Sequence, residues 1–160
     1  MVNNIFDITI IAIGSVREGF YLEACNEYLK RLSPYAKIKI EELSPEPFRQ
    51  TSEINKVKER ESLKLLKRLE TAYAEADVYI LDESASQLTS AKWPDLLKSS
   101  RKKVFVIGGT TGLVKELFVK NNIKFLSLSA MTLPHELVRV VLLEQLYRAS
   151  CLSRGKQYHY

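Results

Sequence analysis

Three short runs restrict this chain more than anything else in it: "ITIIAI" from Ile8, "VYIL" from Val78 and "VFVI" from Val104. Each is apolar on successive residues, so a strand made from it buries both of its faces. That pattern belongs to parallel sheets covered by helices on either side, because an antiparallel sheet with one wet face shows an alternation instead. Between the runs lie segments with helical spacing. In "REGFYLEACNEYLKRLSPY" the residues Phe20, Tyr21, Ala24, Tyr28 and Leu32 recur at helical intervals and the pattern stops before Pro34.

The whole order follows. A strand over residues 5–13 ends at Gly14 and leads to that first helix. "KIKIEEL", Lys37 to Leu43, alternates like a strand, and Pro45 and Pro47 mark a loop before a helix that Thr51 or Ser52 caps and that runs to about Tyr73. A third strand ends near Leu81, Asp82 and Glu83, and a helix spans about Ala91 to Lys98. The fourth strand, Lys102 to Ile107, breaks at Gly108 and Gly109. A short helix from about Val114, a fifth strand over Ile123 to Leu128 and a final helix from about Pro134 to Ala149 complete it. Alternating β and α elements on short loops predict an α/β fold with a mostly parallel sheet flanked by helices. At 160 residues the chain fits a single domain, 1–160, large enough for a real core.

Charge and cysteine exclude more than they select. A net charge of +5 tilts the surface toward polyanions, but suits RNA, an anionic cofactor or simple solubility equally. Cys25 and Cys151 are far apart with no C-x-x-C, which argues against a disulfide framework or a zinc site and for a reduced, cytoplasmic setting. "IFDITIIAIG" lacks a basic leader and a cleavage site and no apolar run spans a bilayer, so it is expected to be a buried strand, with no membrane involved.

In open α/β sheets ligands bind beyond the carboxyl ends of the strands, which directs attention to three stretches: Leu81-Asp82-Glu83, Gly108 to Gly112, and Ser127 to His135. "GGTTGL" (Gly108 to Leu113) brings backbone N–H groups close to a ligand, or is merely a tight turn; it is neither G-x-G-x-x-G nor a Walker loop. In "LSLSAMTLPH" the hydroxyls of Ser127, Ser129 and Thr132 stand beside the apolar Met131 and Leu133, a set able to hold a flat ring and a ribose, or else to form turns and caps. His135 has no nucleophile elbow near it. The final helix, with Leu137, Val138, Val140, Val141, Leu142, Leu143, Leu146 and Tyr147, leaves no wide polar face and so predicts a second copy on its outer side. Arg139 in that helix needs either an ion-pair partner, Glu136 or Glu144, or an anionic ligand. The tail carries Arg154, Lys156, Tyr158, His159 and Tyr160, cations interleaved with rings, which suits unpaired RNA or a frayed end. The helix from about Glu53 to Tyr73 mixes Lys and Arg with Glu53, Glu59, Glu61 and Glu70 and reads as a solvated face.

"FVIGGTTGL", "LSLSAMTLPHELVRVVLLEQLYRA" and the closing "YH" together resemble the small SPOUT-class family of ribosomal large-subunit pseudouridine methyltransferases, the H type, over essentially the whole chain. The resemblance implies a homodimer with a C-terminal trefoil knot that binds S-adenosylmethionine, needs no metal, and methylates N3 of a pseudouridine in 23S rRNA of the large subunit or the assembled ribosome. Carried over onto this sequence, it implies cofactor contacts at Leu81, Gly108, Gly109, Leu128, Ser129, Ala130, Met131, Thr132 and Leu133, and catalytic or target-facing roles for His135, Arg139, Tyr158 and His159. One position departs: where the family has a basic residue after Tyr-His, this chain has Tyr160. Two rivals from other classes stand beside this reading. An RNA- or ribosome-binding module with a non-catalytic cofactor loop would bind donor without turnover, and a nucleotide-dependent oxidoreductase is disfavoured by the missing dinucleotide glycines.

Overall fold

A computed structural model of the chain describes residues 5–120, 122–156 and 158. Five strands, β1 (Phe6–Ile13), β2 (Ala36–Leu43), β3 (Asp77–Leu81), β4 (Lys103–Ile107) and β5 (Ile123–Leu126), form one sheet in the order β2-β1-β4-β3-β5, and every pairing is parallel. Four helices accompany them: α1 (Gly19–Leu32), α2 (Ile54–Ala72), the short α3 (Trp93–Leu96) and α4 (His135–Ser153).

The doubly apolar strands do bury both faces, and each face has its own core. Ile8, Ile10, Ala12, Phe105 and Ile107 pack with Leu32 of α1, Trp93 of α3 and Leu142, Leu143, Leu146 and Ala149 of α4. The alternate residues Ile11, Ile13, Val78, Ile80, Val104 and Val106 pack with Leu65 and Leu69 of α2 and with Phe118. The first face therefore carries three helices, with α4 in contact with both α1 and α3, whereas α2 is the long helix of the second face. Leu142, Leu143 and Leu146 are fully buried, and each side chain so removed from water stabilises the fold by about 1.5–3 kcal/mol.

Several boundaries differ from the sequence expectation for identifiable reasons. α2 is not capped by Thr51 or Ser52: a single 3-10 turn, Thr51–Glu53, precedes it, and the Glu53 carboxylate accepts the N–H groups of Arg49 and Gln50. Nor is α2 a wholly solvated face, since Glu61 and Ser62 are buried with Val57, Leu65 and Leu69. The element after Val114 is one 3-10 turn, Lys115–Phe118, and the third helix is a 3-10 turn, Ser90–Lys92, continued by α3. β5 stops at Leu126 because Ser127 exchanges β3 for a new partner: it makes a single parallel bridge with Gln87, its N–H donating to Ser86 O, and its hydroxyl donates to Ser129 O.

The connection after β3 leads to β4, and the connection after β4 passes back beyond β3 to β5. The chains leaving β3 and β4 therefore pass over each other's strands, and the carboxyl ends of these two neighbouring strands lie at the foot of one crevice.

Candidate functional site

That crevice is a cavity of about 680 Å³, within the range of small-molecule and cofactor sites. Ile80 and Leu81 at the end of β3 and Ile107 at the end of β4 form its floor. The turn Gly108 to Leu113 makes one wall, and the run from Leu128 to the first turn of α4, except for Ala130, makes the other. Asp82 and Glu83 add two carboxylates.

The glycine turn is shaped from behind. Gly112 has φ +74°, the left-handed region that favours glycine, and its N–H closes the turn onto Gly109 O at 3.1 Å. A Cβ on Gly109 would lie 2.6 Å from Oε2 of Glu61, so this backbone rests directly on a carboxylate of α2. Glu61 also accepts the Glu46 N–H at 2.9 Å and the Thr111 hydroxyl at 3.4 Å. The neighbouring Ser62 Oγ accepts the Val114 N–H at 2.9 Å.

The acidic edge is ordered too. Asp82 accepts the Ser84 N–H at 2.8 Å and the Lys115 ammonium at 2.7 Å. Burial pushes its carboxyl up, but the bonds from Lys115 and Ser84 outweigh that push and hold it below the usual value, so it is a carboxylate at neutral pH. Across the cavity the Thr132 hydroxyl donates to Glu83 Oε2 at 2.7 Å, and Ser129 Oγ accepts the Met131 N–H at 3.0 Å. The hydroxyls read as either ligand groups or turn formers are thus turn formers in the free chain, with Thr132 bridging two walls.

Beside His135 the cavity meets the ends of β1 and β2. Glu136 accepts the N–H groups of Arg17 and Glu18 at 3.0 and 3.1 Å, and a Cβ on Gly14 would lie 3.8 Å from His135 Nε2. Arg139, one turn further, is 5 % exposed and spans this corner, donating to Gly14 O at 3.2 Å and pairing with Glu42. Its partner is therefore neither Glu136 nor Glu144: those two face the 17–18 backbone and Arg148 respectively, whereas Glu42 projects from β2 on the same sheet face as Ile38 and Ile40. The same corner holds Cys25, whose thiol is pushed up by burial against the opposing pull of Arg139.

Of the residues expected at the site, the structure brings Leu81, Gly108, Gly109, Leu128, Ser129, Met131, Thr132, Leu133 and His135 onto one cavity. It does not bring Ala130, Arg139 or Tyr158 there. Tyr158 lies against Tyr147, with the Arg148 guanidinium 4.2 Å over its ring, and donates to Glu144 at 3.3 Å. Glu144 is two and a half turns beyond His135, roughly 13 Å along the axis, so Tyr158 is remote from the cavity of its own chain. His159 lies outside the described residues. The sequence pointed to Asp82 and Glu83 as a strand end at the site without giving them a role, and it missed Glu61 as the support of the turn. The signal for Glu61 was present: Val57, Glu61, Leu65 and Leu69 recur at intervals of four, which places the glutamate on the buried stripe.

An apolar slot with backbone polar groups on two sides and carboxylates at its edge suits a ligand with a flat ring, hydroxyls and positive charge. Among the described residues no cluster of His, Cys, Asp and Glu has the makings of a metal site, and no helix is long and apolar enough to cross a membrane. Comparison with known proteins bears on the same segments. A family model described as "Predicted SPOUT methyltransferase" matches residues 6–159. The chain is also 38 % identical over 161 residues, 96 % of its own length and 99 % of the relative's, to Ribosomal RNA large subunit methyltransferase H of Bacillus cytotoxicus (strain DSM 22905 / CIP 110041 / 391-98 / NVH 391-98).

Proposed function

From the premise that this chain belongs to the SPOUT methyltransferase family, we propose that it transfers a methyl group from S-adenosylmethionine to large-subunit ribosomal RNA, at N3 of a pseudouridine, acting as a homodimer on assembled ribosomes. One observation carries the proposal furthest: the two segments that hold the resemblance, the glycine turn and the 128–135 run, face each other across a single cavity at the strand ends.

The residues fit the donor. Leu81, Leu128, Leu133 and Val138 offer apolar walls for an adenine ring, the turn amides offer donors for its polar edge, and Asp82 and Glu83 offer negative charge to a ligand bearing an ammonium and a sulfonium. When bound, S-adenosylmethionine supplies a methyl already activated by its sulfonium leaving group. The protein's task is then to align the ring nitrogen in line with that methyl and to favour the nitrogen's anion. Arg139 lies one helical turn beyond the cavity-lining His135, and its guanidinium, shared between Glu42 and Gly14 O, is assigned the stabilisation of that anion. His159 is assigned the proton. Tyr158, held on the far half of α4, serves the seam with a second subunit rather than its own cavity.

The homodimer reading is supported by α4, on which Leu137, Val140, Val141 and Tyr147 stay half-exposed in a single chain. The C-terminal trefoil knot of the family reading is part of the same proposal. Action on ribosomes places the protein in the cytoplasm. Labelled methyl transfer to assembled ribosomes lacking the modification tests all of this together. Label is expected in large-subunit RNA and is expected to vanish on ribosomes without the pseudouridine; donor binding without label would instead favour a binding module.

A further inference from the structure

The mechanism above makes no use of Glu61, yet few carboxylates in the molecule are placed so tightly. It is 3 % exposed in the middle of α2, and among the described residues no lysine or arginine pairs with it. A carboxylate removed from water at such a place is costly unless its oxygens accept hydrogen bonds. Here they do, and both partners belong to loops at the site end of the sheet: the Glu46 N–H of the β2–α2 loop and the hydroxyl of Thr111, which itself lines the cavity.

The contact with Gly109 is closer still. At 2.6 Å from a hypothetical Cβ, no side chain fits between this backbone and the carboxylate, and Ile13 closes the other side at 3.1 Å. A shorter residue 61 withdraws this support from the turn, and the turn is one wall of the donor cavity. A purely structural contact between helix and sheet is made at lower cost by an apolar residue, as Leu65 and Leu69 make it further along the same stripe.

We infer that Glu61 is a positioning residue for the donor: its carboxylate sets the height of the Gly108–Gly112 turn above β4 and so aims the wall of the cavity at the ligand. The inference rests on the donor-site reading. It acts through the turn, so it bears on donor affinity and not on the transfer step or on recognition of the ribosome.

The test measures S-adenosylmethionine binding to the free protein by calorimetry, with steady-state kinetics on ribosomes alongside. Glu61→Ala is expected to weaken donor binding and to raise the donor KM by about tenfold, with kcat at saturating donor and the ribosome KM held within about twofold. Glu61→Gln, which keeps the length and the acceptor for the Glu46 N–H, is expected to return donor affinity to within about threefold of the parent. Should Glu61→Ala not give a folded protein by thermal melting, Glu61→Asp takes its place, because it keeps the charge and withdraws it from Gly109 by one methylene.

Unchanged donor affinity in a folded Glu61→Ala or Glu61→Asp overturns the assignment. So does a loss confined to kcat, or a Gln variant no better than Ala. If the parent protein itself binds no donor, the donor-site reading falls instead, and the two failures are told apart in one experiment.

Discussion

α2 and α4 have the same length, nineteen residues, and lie on opposite faces of one sheet, yet their sequences mislead in opposite directions. α2 is rich in charge and reads as a helix facing water, but it buries Glu61 and Ser62 under the glycine turn. α4 reads as apolar all round, but it buries Arg139 against the ends of β1 and β2. The difference lies in what surrounds them. α4 is flanked by α1 and α3, so no residue from His135 to Cys151 is fully exposed and a cation inside it must find its partner in the protein. α2 keeps a broad wet side and becomes polar inside only where it meets loops. In both helices the buried polar group sits beside chain leaving a strand, where backbone groups need partners that the sheet no longer supplies.

Ways to break this comparison can be ranked by size. The largest effect belongs to the interior of α4: Leu146→Ala is expected to cost about 3 kcal/mol in denaturant unfolding, since the site is fully buried between three helices and the sheet. A loss below about 1 kcal/mol would mean that α4 is far less enclosed than its contacts with α1, α3 and the sheet imply. Next is Arg139→Ala, expected to cost about 2 kcal/mol, because Glu42 is 42 % exposed and water recovers part of its solvation. Its methyl transfer to ribosomes is expected to fall by at least about a hundredfold. Full activity would leave Arg139 with the ion pair alone.

On α2, Ser62→Ala strips the acceptor from the Val114 N–H and is expected to cost about 1.5 kcal/mol, more than an alanine on the wet side of the same helix. A smaller effect tests α2 through acid. The bonds from Arg68 hold the Glu41 carboxyl down at about 2 from an ordinary 4.5, with Lys39 and Tyr73 assisting against burial. A depressed carboxyl stabilises the fold fully above its unfolded value and loses that contribution as pH falls from about 4.5 through 2. Arg68 is 39 % exposed, so solvent screening leaves on the order of 1 kcal/mol. Melting temperatures of Glu41→Gln and the parent are expected to differ at pH 6, to draw together below about pH 4.5 and to converge toward about pH 2. The smallest effect is Glu70→Ala, under about 0.5 kcal/mol, because Glu70 and Lys120 are both 45 % exposed.

The sheet was legible in the sequence because a strand buried on both faces leaves a mark in every residue. Ile8 to Ile13 could hardly be anything else, and the expected strand ends at Leu81, Ile107 and Leu128 led directly to the cavity. Local spacing also exposed the turn at Gly108 and the loop before α4. What it could not supply were partners distant in the chain. Arg139 invited a partner on its own helix, three or five residues away, while the actual one, Glu42, is brought to it by the start of α4 lying against the ends of β1 and β2. Glu61 was hidden by its neighbours, since a glutamate among lysines looks solvated unless the four-residue stripe is given more weight than composition. The order β2-β1-β4-β3-β5 leaves no local trace at all, because it is set by which edge each crossover reaches.

The place of α4 also bears on how the molecule is made. α1 and α3 precede it in the chain, and until α4 is synthesised the groove between them leaves Phe105, Ile107 and Trp93 without their cover. A nascent chain emerging from the ribosome can pair its strands and close the α2 face early, but the other face stays open until the residues up to Ser153 have cleared the exit tunnel. Folding of this domain is thus completed by its last helix, and the step that seals the core is the same step that brings the 128–135 wall to the cavity.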